Sequence, residues 1–478
     1  MSLGKRGDER QGEFWTPTQN LTGGPGHVFY DKLNRVLAQA GFDKFVEELC
    51  EPYYEQTGRR SIPPGVYFRM LSIGYLEGLD SQRGIAWRCE DSLSLRRFLG
   101  IPLSEDTPDH SSLTRIRDRL PLEVHEQVFR YILQMIDEHG LLKGQTVAVD
   151  STLLEANAAM KAIVRQDSGE DWQAYLKRLM QAEGLIKEEE EPTEEELRRF
   201  DKQRAKQGKK KVSNEDWASP TDPSARIVKL KDGRTHLGYK AEHVVDLESE
   251  VILSATVHHG TDSDTSTLLP NLVNAQTNLI LAGSTEEIEE VVADKGYHSN
   301  ETITECDRFG IRTYIPEPQS KHLRRWTDKP EEVERAVVNN RRRLSRDKGQ
   351  ALQKQRSEKV ERSFAHVCET GGARRTWLAG LEKINKRYLI HTAARNLGIL
   401  MLKVFGIGKP RCLQAGLAGV LALCAVLKGL LDRLQRFGRW SVTTQIFRIE
   451  NRSTQRPSNP PPIFQPRQCR IIQFSTGC

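Results

Sequence analysis

The chain has 478 residues, which is long enough for two or three domains with a substantial core. Hydrophobic residues make up 37% and charged residues 28%, as in an ordinary soluble protein, and a net charge of +6 does not by itself indicate nucleic-acid binding. The eight cysteines are scattered without CxxC or Cys/His ligand spacing, which argues against a zinc site or a disulfide framework and favours a reducing cytoplasm.

The N-terminal third is predicted to be helical. Residues 1–25 are polar and Gly-rich and predict a mobile arm without a secretory signal. Apolar residues then recur with helical spacing, which predicts an all-α region over residues 26–140. A helix that begins near Asp109 carries Arg115 and Arg119 on one face. The region therefore resembles a helix-turn-helix DNA reader in its pattern, although a plain helical bundle with solvated arginines accounts for it equally well.

Two aspartates each follow a short apolar strand. Residues 146–149 (TVAV) predict a buried strand that ends on Asp150, and residues 291–293 (VVA) predict a second strand before Asp294 and a Gly-containing turn. In open α/β sheets, ligands bind at the carboxyl ends of the strands, so we expect both carboxylates to face one crevice. Carboxylates are the ligands that Mg²⁺ prefers, and the pair favours a metal site.

A third acidic residue lies in a charge-rich helical stretch near residue 360. Glu361 stands beside the apolar positions Val360, Phe364 and Val367, which mark the buried face of a helix. Glu358 is an alternative to Glu361, because it lies one turn earlier on a nearby face. Taken singly, each of these acids is also explained as a helix cap, a turn former or a surface carboxylate.

Between the acids, the pattern predicts alternating strands and helices. Residues 160–220 carry an acidic and then a basic run and predict a charged helical insertion or hairpin, or else a solvated loop. The core elements predicted after it are a β-hairpin (237–246 and 251–258), a helix (263–279), the Asp294 strand, a helix capped by Asn300, and a strand (311–315).

Cationic residues cluster around the third acid. A basic helical span covers about residues 320–357, and residues 341–362 contain nine Lys or Arg against three Asp or Glu. Such a run is usually a solvated face, but its place beside an acid suits contact with a phosphate backbone. The predicted DNA-binding arginines here are Arg341, Arg342, Arg343, Arg362, Arg374 and Arg375.

Several long segments resemble the DDE-type transposases of bacterial insertion sequences. They are VAVDSTLLEANAA, VVADKGYHS, KVERSFAHVCETGGARRTWLAGLEKINKRYLIHTAARNLG and the N-terminal IPPGVYFRMLSIGYLEGLDSQRGIAWRCEDSLSLRRFLG, which together lie within about residues 60 to 405. The resemblance implies an RNase H-like α/β catalytic domain over residues 141–405, with a mixed sheet flanked by helices. The predicted order of strands and helices agrees with that fold.

The resemblance also implies site residues and partners. Asp150, Asp294 and Glu361 are expected to be catalytic and to bind two Mg²⁺ ions, with Mn²⁺ able to substitute. The expected partners are double-stranded DNA, namely the ends of the element and the target, and a second copy of the chain in a homodimer. Lys295, Tyr297 and His298 follow Asp294 closely and are expected to support the site, although a His in such a place often only satisfies a turn.

Two features leave alternatives open. Many relatives carry a Tyr, Arg, Glu, Lys series around the last acid, whereas Ser357 and Cys368 occupy corresponding offsets from Glu361 here. A metal-dependent nuclease, or an inactive DNA-binding remnant or repressor, therefore stays an alternative to an active transposase. At the C-terminus we predict an apolar helical region (406–450), whose 15-residue apolar run is too short to span a membrane, and a disordered tail (451–478).

Overall fold

The computed structural model describes residues 26–410, apart from 56, 59–60, 188, 209–213, 231–232, 320–325 and 327–328. The predicted arm, the predicted tail and the apolar run of the C-terminal region lie outside the described residues. The described residues belong to one compact unit. None of the helices in this part of the chain is both long enough and apolar enough to cross a membrane.

The described N-terminal region is helical, as predicted. Its helices are α1 (Val28–Gln39), α2 (Phe42–Cys50), α3 (Pro64–Glu77), α4 (Gln82–Glu90), α5 (Leu93–Leu99), α6 (His110–Arg119) and α7 (Leu122–Asp137). Local signals fix their ends: Pro64 opens α3, and Gly78 ends it in the left-handed conformation. The side chains of Ser81 and Asp109 accept backbone N–H groups at the starts of α4 and α6.

The second half of the chain is built on a mixed six-stranded sheet. Its strands are β1 (Thr146–Glu155), β4 (Arg226–Lys229), β5 (Thr235–Asp246), β6 (Ile252–His259), β7 (Glu290–Val292) and β8 (Arg312–Tyr314). The strands lie in the order β4-β5-β1-β7-β8, and β6 also pairs with β5. Strand β5 is antiparallel to β1, and β4 and β6 are antiparallel to β5, whereas β7 and β8 are parallel to β1. This topology is compatible with an RNase H-like fold.

Helices cover both faces of the sheet. They are α10 (Asp264–Leu281), α11 (Asn300–Arg308), α12 (Glu331–Ser345), α13 (Asp347–Phe364) and α14 (Leu381–Phe405). Ser151 on β1 points towards α10, because its Oγ donates to Asp264 Oδ1 at 3.3 Å. Asp150 points to the opposite face, where Arg356 of α13 reaches it. The prediction that Asn300 caps α11 is wrong, because the cap is the preceding Ser299, whose side chain accepts the Thr302 N–H.

The predicted charged insertion contains helices in its described part. A two-strand ladder of β2 (Val164–Arg165) and β3 (Trp217–Ala218) closes its base, and α8 (Trp172–Ala182) and α9 (Glu194–Lys206) lie between them. Leu176, Met180, Leu197 and Phe200 form a small buried cluster where the two helices meet. The two helices of the insertion therefore pack against each other, because these few apolar side chains are enough to form one helix–helix contact.

Helix α14 joins the N-terminal helices to the sheet. It contacts α3 and α7 as well as β6, and most of its residues from Ile384 to Met401 are buried. A helix buried on all sides has no single apolar stripe. Asn385 and Asn396 each donate to and accept from the backbone of β6, at Val257 and Ile252. These bonds pair backbone N–H and C=O groups on the outer edge of the sheet, which would otherwise be free to pair with another strand.

Candidate active site

Asp150 and Asp294 lie close together, just past the point where the parallel pairing of β1 with β7 ends. The prediction that the first strand ends on Asp150 is wrong, because β1 continues to Glu155 in antiparallel pairing with β5. Strand β1 pairs in parallel with β7, and the last paired residues are Ala148 and Val292. Each aspartate follows its paired residue by two positions. Because neighbouring strands lie about 4.8 Å apart, this register brings the two aspartates to the same end of the β1–β7 pairing, here called the Asp150–Asp294 edge.

The Asp150 carboxylate is mostly buried and paired with a cation. Its Oδ2 lies 2.6 Å from Nη1 of Arg356, and its Oδ1 accepts the Ser151 N–H at 2.8 Å. Burial raises the pKa of Asp150 above its usual range, Arg356 opposes that rise, and Asp294 adds to it. Asp150 and Asp294 are thus close enough for each charge to disfavour the other, and a cation between them would relieve the repulsion.

Asp294 organises the turn that follows β7. Its Oδ1 accepts the Gly296 N–H at 2.7 Å and caps the 3₁₀ turn Lys295–Tyr297. A Cβ on Gly296 would lie 2.9 Å from Asp294 Oδ1 and 2.7 Å from Asp264 Oδ2. A side chain at this position would therefore displace one or both of the carboxylate oxygens that flank it, which are less than about 6 Å apart.

The donor set at this edge fits a hard divalent cation. Mg²⁺ is usually held by one or two carboxylates together with water and substrate phosphates, and Asp150 and Asp294 provide two carboxylates. Within the described ranges, no group of three or more His, Cys, Asp or Glu side chains lies close enough together to hold a metal ion. The fit therefore rests on the pair, and the three-acid ligand set stays a prediction.

One side of helix α13 contacts the turn between β5 and β6. Lys359 donates to the Leu247 carbonyl, and Arg362 binds Glu250 Oε1 at 2.8 Å. Leu247 and Glu250 lie in the β5–β6 turn beside the amino end of β1, where the Leu247 N–H donates to Thr146. One flank of α13 thus faces the end of the sheet opposite to Asp150.

The two candidates for the third acid differ in their surroundings. Ser357 and Glu361 are each two residues from Lys359, so they lie about 160° around the helix from it. Ser357 Oγ donates to Glu361 at 3.4 Å, and the Glu361 side chain is exposed. Glu361 therefore lies on the side of α13 that is turned away from Lys359. Glu358 instead pairs with Arg362, which binds Glu250 in the β5–β6 turn.

The three residues after Asp294 have different surroundings. Lys295 is exposed. Tyr297 is buried, and its hydroxyl donates to Glu242 Oε1 at 3.2 Å. Burial raises the pKa of Tyr297, and the charges of Glu242, Asp264 and Asp150 raise it further. His298 is buried, with Nε2 4.0 Å from Glu317 Oε1.

Four of the predicted DNA-binding arginines expose their side chains on α6 and α12. Arg115 donates to Ser111 Oγ at 3.0 Å, and the Arg119 guanidinium lies 4.6 Å from the centre of the Tyr54 ring. On α12, Arg341 binds Glu317 at 3.0 Å and Arg342 is exposed.

The other four predicted arginines bind groups of the protein. Their partners are the Thr313 carbonyl for Arg343, Glu250 and Glu358 for Arg362, the Leu153 carbonyl, Thr152 and Glu369 for Arg374, and Glu155 at 3.9 Å for Arg375. Arg375 is exposed beyond the end of β1, whereas Arg374 stabilises that end from within. Whether these four arginines contact DNA stays a prediction.

Three residues near the site escaped the sequence analysis. Arg356 is one of many cations in α13, and only its contact with Asp150 sets it apart. Lys240 and Glu242 stand on β5 within a run of buried residues, and both are buried themselves. Charges inside a buried strand are uncommon without a partner. That rule would have singled out these two residues, although it does not reveal the partner.

Comparison with known families identifies two segments of the chain. Residues 19–119 match the family described as Transposase domain (DUF772), and residues 141–397 match the family described as Transposase DDE domain. Neither a curated protein nor a solved structure matches significantly. The DDE match covers more than half of the chain and includes the strands and helices that carry Asp150, Asp294 and Glu361. The chain therefore belongs to the DDE transposases of insertion sequences.

Proposed function

We propose that this transposase cuts DNA at the ends of its insertion sequence and joins the freed 3′-hydroxyl to target DNA at the edge formed by Asp150 and Asp294. The observation that carries the proposal is the parallel register of β1 and β7, which aligns two carboxylates from distant parts of the chain. Glu361 is the third acid of the proposal, because it lies on the side of α13 that is turned away from Lys359 and the β5–β6 turn.

The proposal assigns a role to each acidic residue. Asp150 and Asp294, with Glu361, would hold Mg²⁺ or Mn²⁺, which supplies polarisation of the attacking oxygen and stabilises the charge of an in-line phosphoryl displacement. Arg356 neutralises Asp150 when no other cation is near and keeps its side chain in place. Asp294 keeps its orientation through the bond from the Gly296 N–H.

The proposed DNA contacts use exposed cations. Arg115 and Arg119 on α6, and Arg341 and Arg342 on α12, offer guanidinium groups at the surface. Contacts with phosphates supply affinity that falls with added salt and carries no sequence information. We infer that the protein acts as a homodimer on bacterial DNA in the cytoplasm, because two ends must be brought together.

The test is a cleavage and joining assay with the DNA ends that flank the gene for this chain. Labelled duplexes are incubated with purified protein in Mg²⁺ or in EDTA. We expect Mg²⁺-dependent cutting at the element boundary, followed by joined products, and we expect Asp150→Asn to abolish cutting while DNA binding persists.

The other outcomes identify the alternatives. Cutting without any joined product would indicate a nuclease on the same fold. Binding without cutting by the wild-type protein would indicate an inactive remnant or a repressor. Loss of both binding and cutting in Asp150→Asn would contradict the assigned role of Asp150.

A further inference from the structure

A buried lysine stands beneath the Asp150–Asp294 edge. Lys240 Nζ lies 2.9 Å from Glu242 Oε1, 3.1 Å from Asp264 Oδ1 and 3.3 Å from Thr267 Oγ1. The side chain of Lys240 is 5% exposed and that of Glu242 is fully buried. Removing both charges from water is costly, and it is offset only by close pairing and further hydrogen bonds.

The network around Lys240 is well supplied with such bonds. Glu242 accepts from the Thr267 hydroxyl at 2.7 Å and from the amide of Asn271. Thr267 and Asn271 belong to α10, whereas Lys240 and Glu242 belong to β5. The network therefore connects α10 to β5, the strand that pairs with β1, which carries Asp150.

The network reaches the Asp294 turn by two routes. Through Glu242 it binds the Tyr297 hydroxyl, three residues after Asp294. Through Asp264 it packs beside Gly296, because Asp264 Oδ2 would lie 2.7 Å from a Cβ built at that position. Asp264 Oδ1 also accepts from Ser151 Oγ, next to Asp150.

We propose that Lys240 is a positioning residue, whose buried ammonium fixes Glu242 and Asp264 and thereby sets the place of the Asp294 carboxylate relative to Asp150. This inference rests on the proposed function, since it assigns a role within the same site. Lys240 does not touch substrate and acts only through its two carboxylate partners.

The physical argument follows from removing the charge. Without the ammonium, Glu242 and Asp264 are two carboxylates in a confined space, and they repel each other. Glu242 is enclosed, whereas the Asp264 side chain is 31% exposed, so Asp264 is the one that moves outward. Its departure removes the packing beside Gly296, and the Asp294 turn shifts with it.

The main test compares the Mg²⁺ dependence of end cleavage in the wild-type protein, Lys240→Met and Lys386→Met. Lys386 is a matched control, because it is also a buried lysine paired with a glutamate, Glu382, but it lies on α14 and binds the Arg117 carbonyl. We expect Lys240→Met to raise the half-saturating Mg²⁺ concentration about 10-fold or more, as changes in groups that orient metal ligands often do. Lys386→Met should leave this concentration unchanged.

A second variant keeps the inference testable if Lys240→Met does not fold. Asp264→Asn leaves Lys240 paired with Glu242, so the core keeps its charge balance. It should also raise the half-saturating Mg²⁺ concentration, because the amide loses the charge that holds it to Lys240. Folded Lys240→Met or Asp264→Asn with a wild-type Mg²⁺ dependence would overturn the inference.

A measurement without DNA separates this inference from the proposed function. Binding of Mn²⁺ to the protein alone is followed by electron paramagnetic resonance. Weaker Mn²⁺ binding by Lys240→Met than by the wild type supports the positioning role, even if no DNA end is cut. Cutting by the wild type with equal Mn²⁺ binding in both proteins overturns the role of Lys240 and leaves the proposed function standing. A wild-type protein that neither binds Mn²⁺ nor cuts DNA ends overturns both.

Discussion

Burial gives the Asp150 carboxylate properties that an exposed aspartate lacks. Its pKa is raised by loss of solvent, and the Arg356 guanidinium at 2.6 Å offsets part of that rise. Asp294, in contrast, is partly exposed and is held by a backbone N–H of its own turn. The two carboxylates thus differ in environment, although each follows the last pair of the β1–β7 ladder by two positions.

The place of Glu361 on α13 leads to a prediction about the third acid. We expect Glu361→Gln to lower the rate of DNA cleavage by at least about 100-fold, because it removes the charge of the residue proposed as the third metal-binding acid. Glu358→Gln should keep cleavage within about twofold, since Glu358 pairs with Arg362 and exposed pairs contribute little. Single-turnover cleavage rates of the two variants, with DNA binding measured alongside, check this. The reverse ranking would assign the third acid to Glu358.

At the scale of single residues, the sequence predicted the two aspartates but not their partners. Asp150 and Asp294 stood out because each follows a short apolar run, and this pattern is local, although β1 continues past Asp150 to Glu155. Asp264 follows the cap residue Ser263 at the start of α10, where an acidic residue is common and indicates no special role. Its contacts with Lys240 and Ser151 depend on how α10 packs on the sheet, which no local pattern encodes.

At the scale of elements, the turn after β7 contains a glycine at which any side chain would displace the carboxylates of Asp264 and Asp294. We expect Gly296→Ala to lower cleavage at least about 10-fold, because the new Cβ would meet oxygens of Asp264 and Asp294 at less than 3.0 Å. Gly398→Ala is the control, since its Cβ would meet only Lys409, at 3.9 Å, and alanine favours the helix. Thermal unfolding of both variants separates a local shift from loss of the fold. Equal cleavage by both would refute the packing argument at Gly296.

The break between α12 and α13 was not predicted from the sequence. One continuous basic span was predicted, yet the structure has two helices that meet at Arg346, whose backbone is extended. No proline marks the corner. Gly349 permits it, because a Cβ there would lie 2.3 Å from the Arg343 carbonyl oxygen. Asn340 fixes the preceding helix by two bonds to the Ile315 backbone. The break thus depends on contacts distant in sequence.

The sequence pattern also did not predict strand β4 or the packing of helix α14. Strand β4 is short, and it pairs with the first residues of β5. The sequence segment of α14 is apolar on more than one face, so its pattern does not reveal which neighbours it has. In contrast, the β5–β6 hairpin and α10 were predicted because their periodicity and caps are local.

At the scale of the whole molecule, three buried histidines lie where helices pack against one another or against the sheet. His125 on α7 bonds Tyr67 of α3, His243 on β5 bonds Tyr388 of α14, and His391 lies on α14 itself. Burial lowers the pKa of His125 to about 3 and lowers the pKa of His243 and His391 well below the usual range. All three are neutral in the folded protein.

These histidines predict a loss of stability in mild acid. In the unfolded chain each takes up a proton as the pH falls below about 6.5, whereas in the folded chain it does not, so falling pH favours unfolding. Between pH 7.5 and 5.5 we expect each histidine to lower the free energy of unfolding by about 1 kcal/mol. Urea denaturation at the two pH values measures the change.

One variant serves as a control for the pH effect. His125→Gln retains an acceptor for Tyr67 and a donor for the Pro121 carbonyl, and it should reduce the change in the free energy of unfolding by about 1 kcal/mol. Equal free energies of unfolding at pH 7.5 and 5.5 in the wild type would refute neutral burial of the three histidines.

The central claim is that the Asp150–Asp294 edge binds the catalytic metal, and a metal-exchange measurement on Asp294 tests it most directly. A thiolate is a softer ligand than a carboxylate, and it suits Mn²⁺ better than Mg²⁺. We predict that Asp294→Cys and Asp294→Asn both lose DNA cleavage in Mg²⁺, and that only Asp294→Cys regains it in Mn²⁺. Wild-type rates of cleavage by Asp294→Asn in Mg²⁺ would contradict the claim.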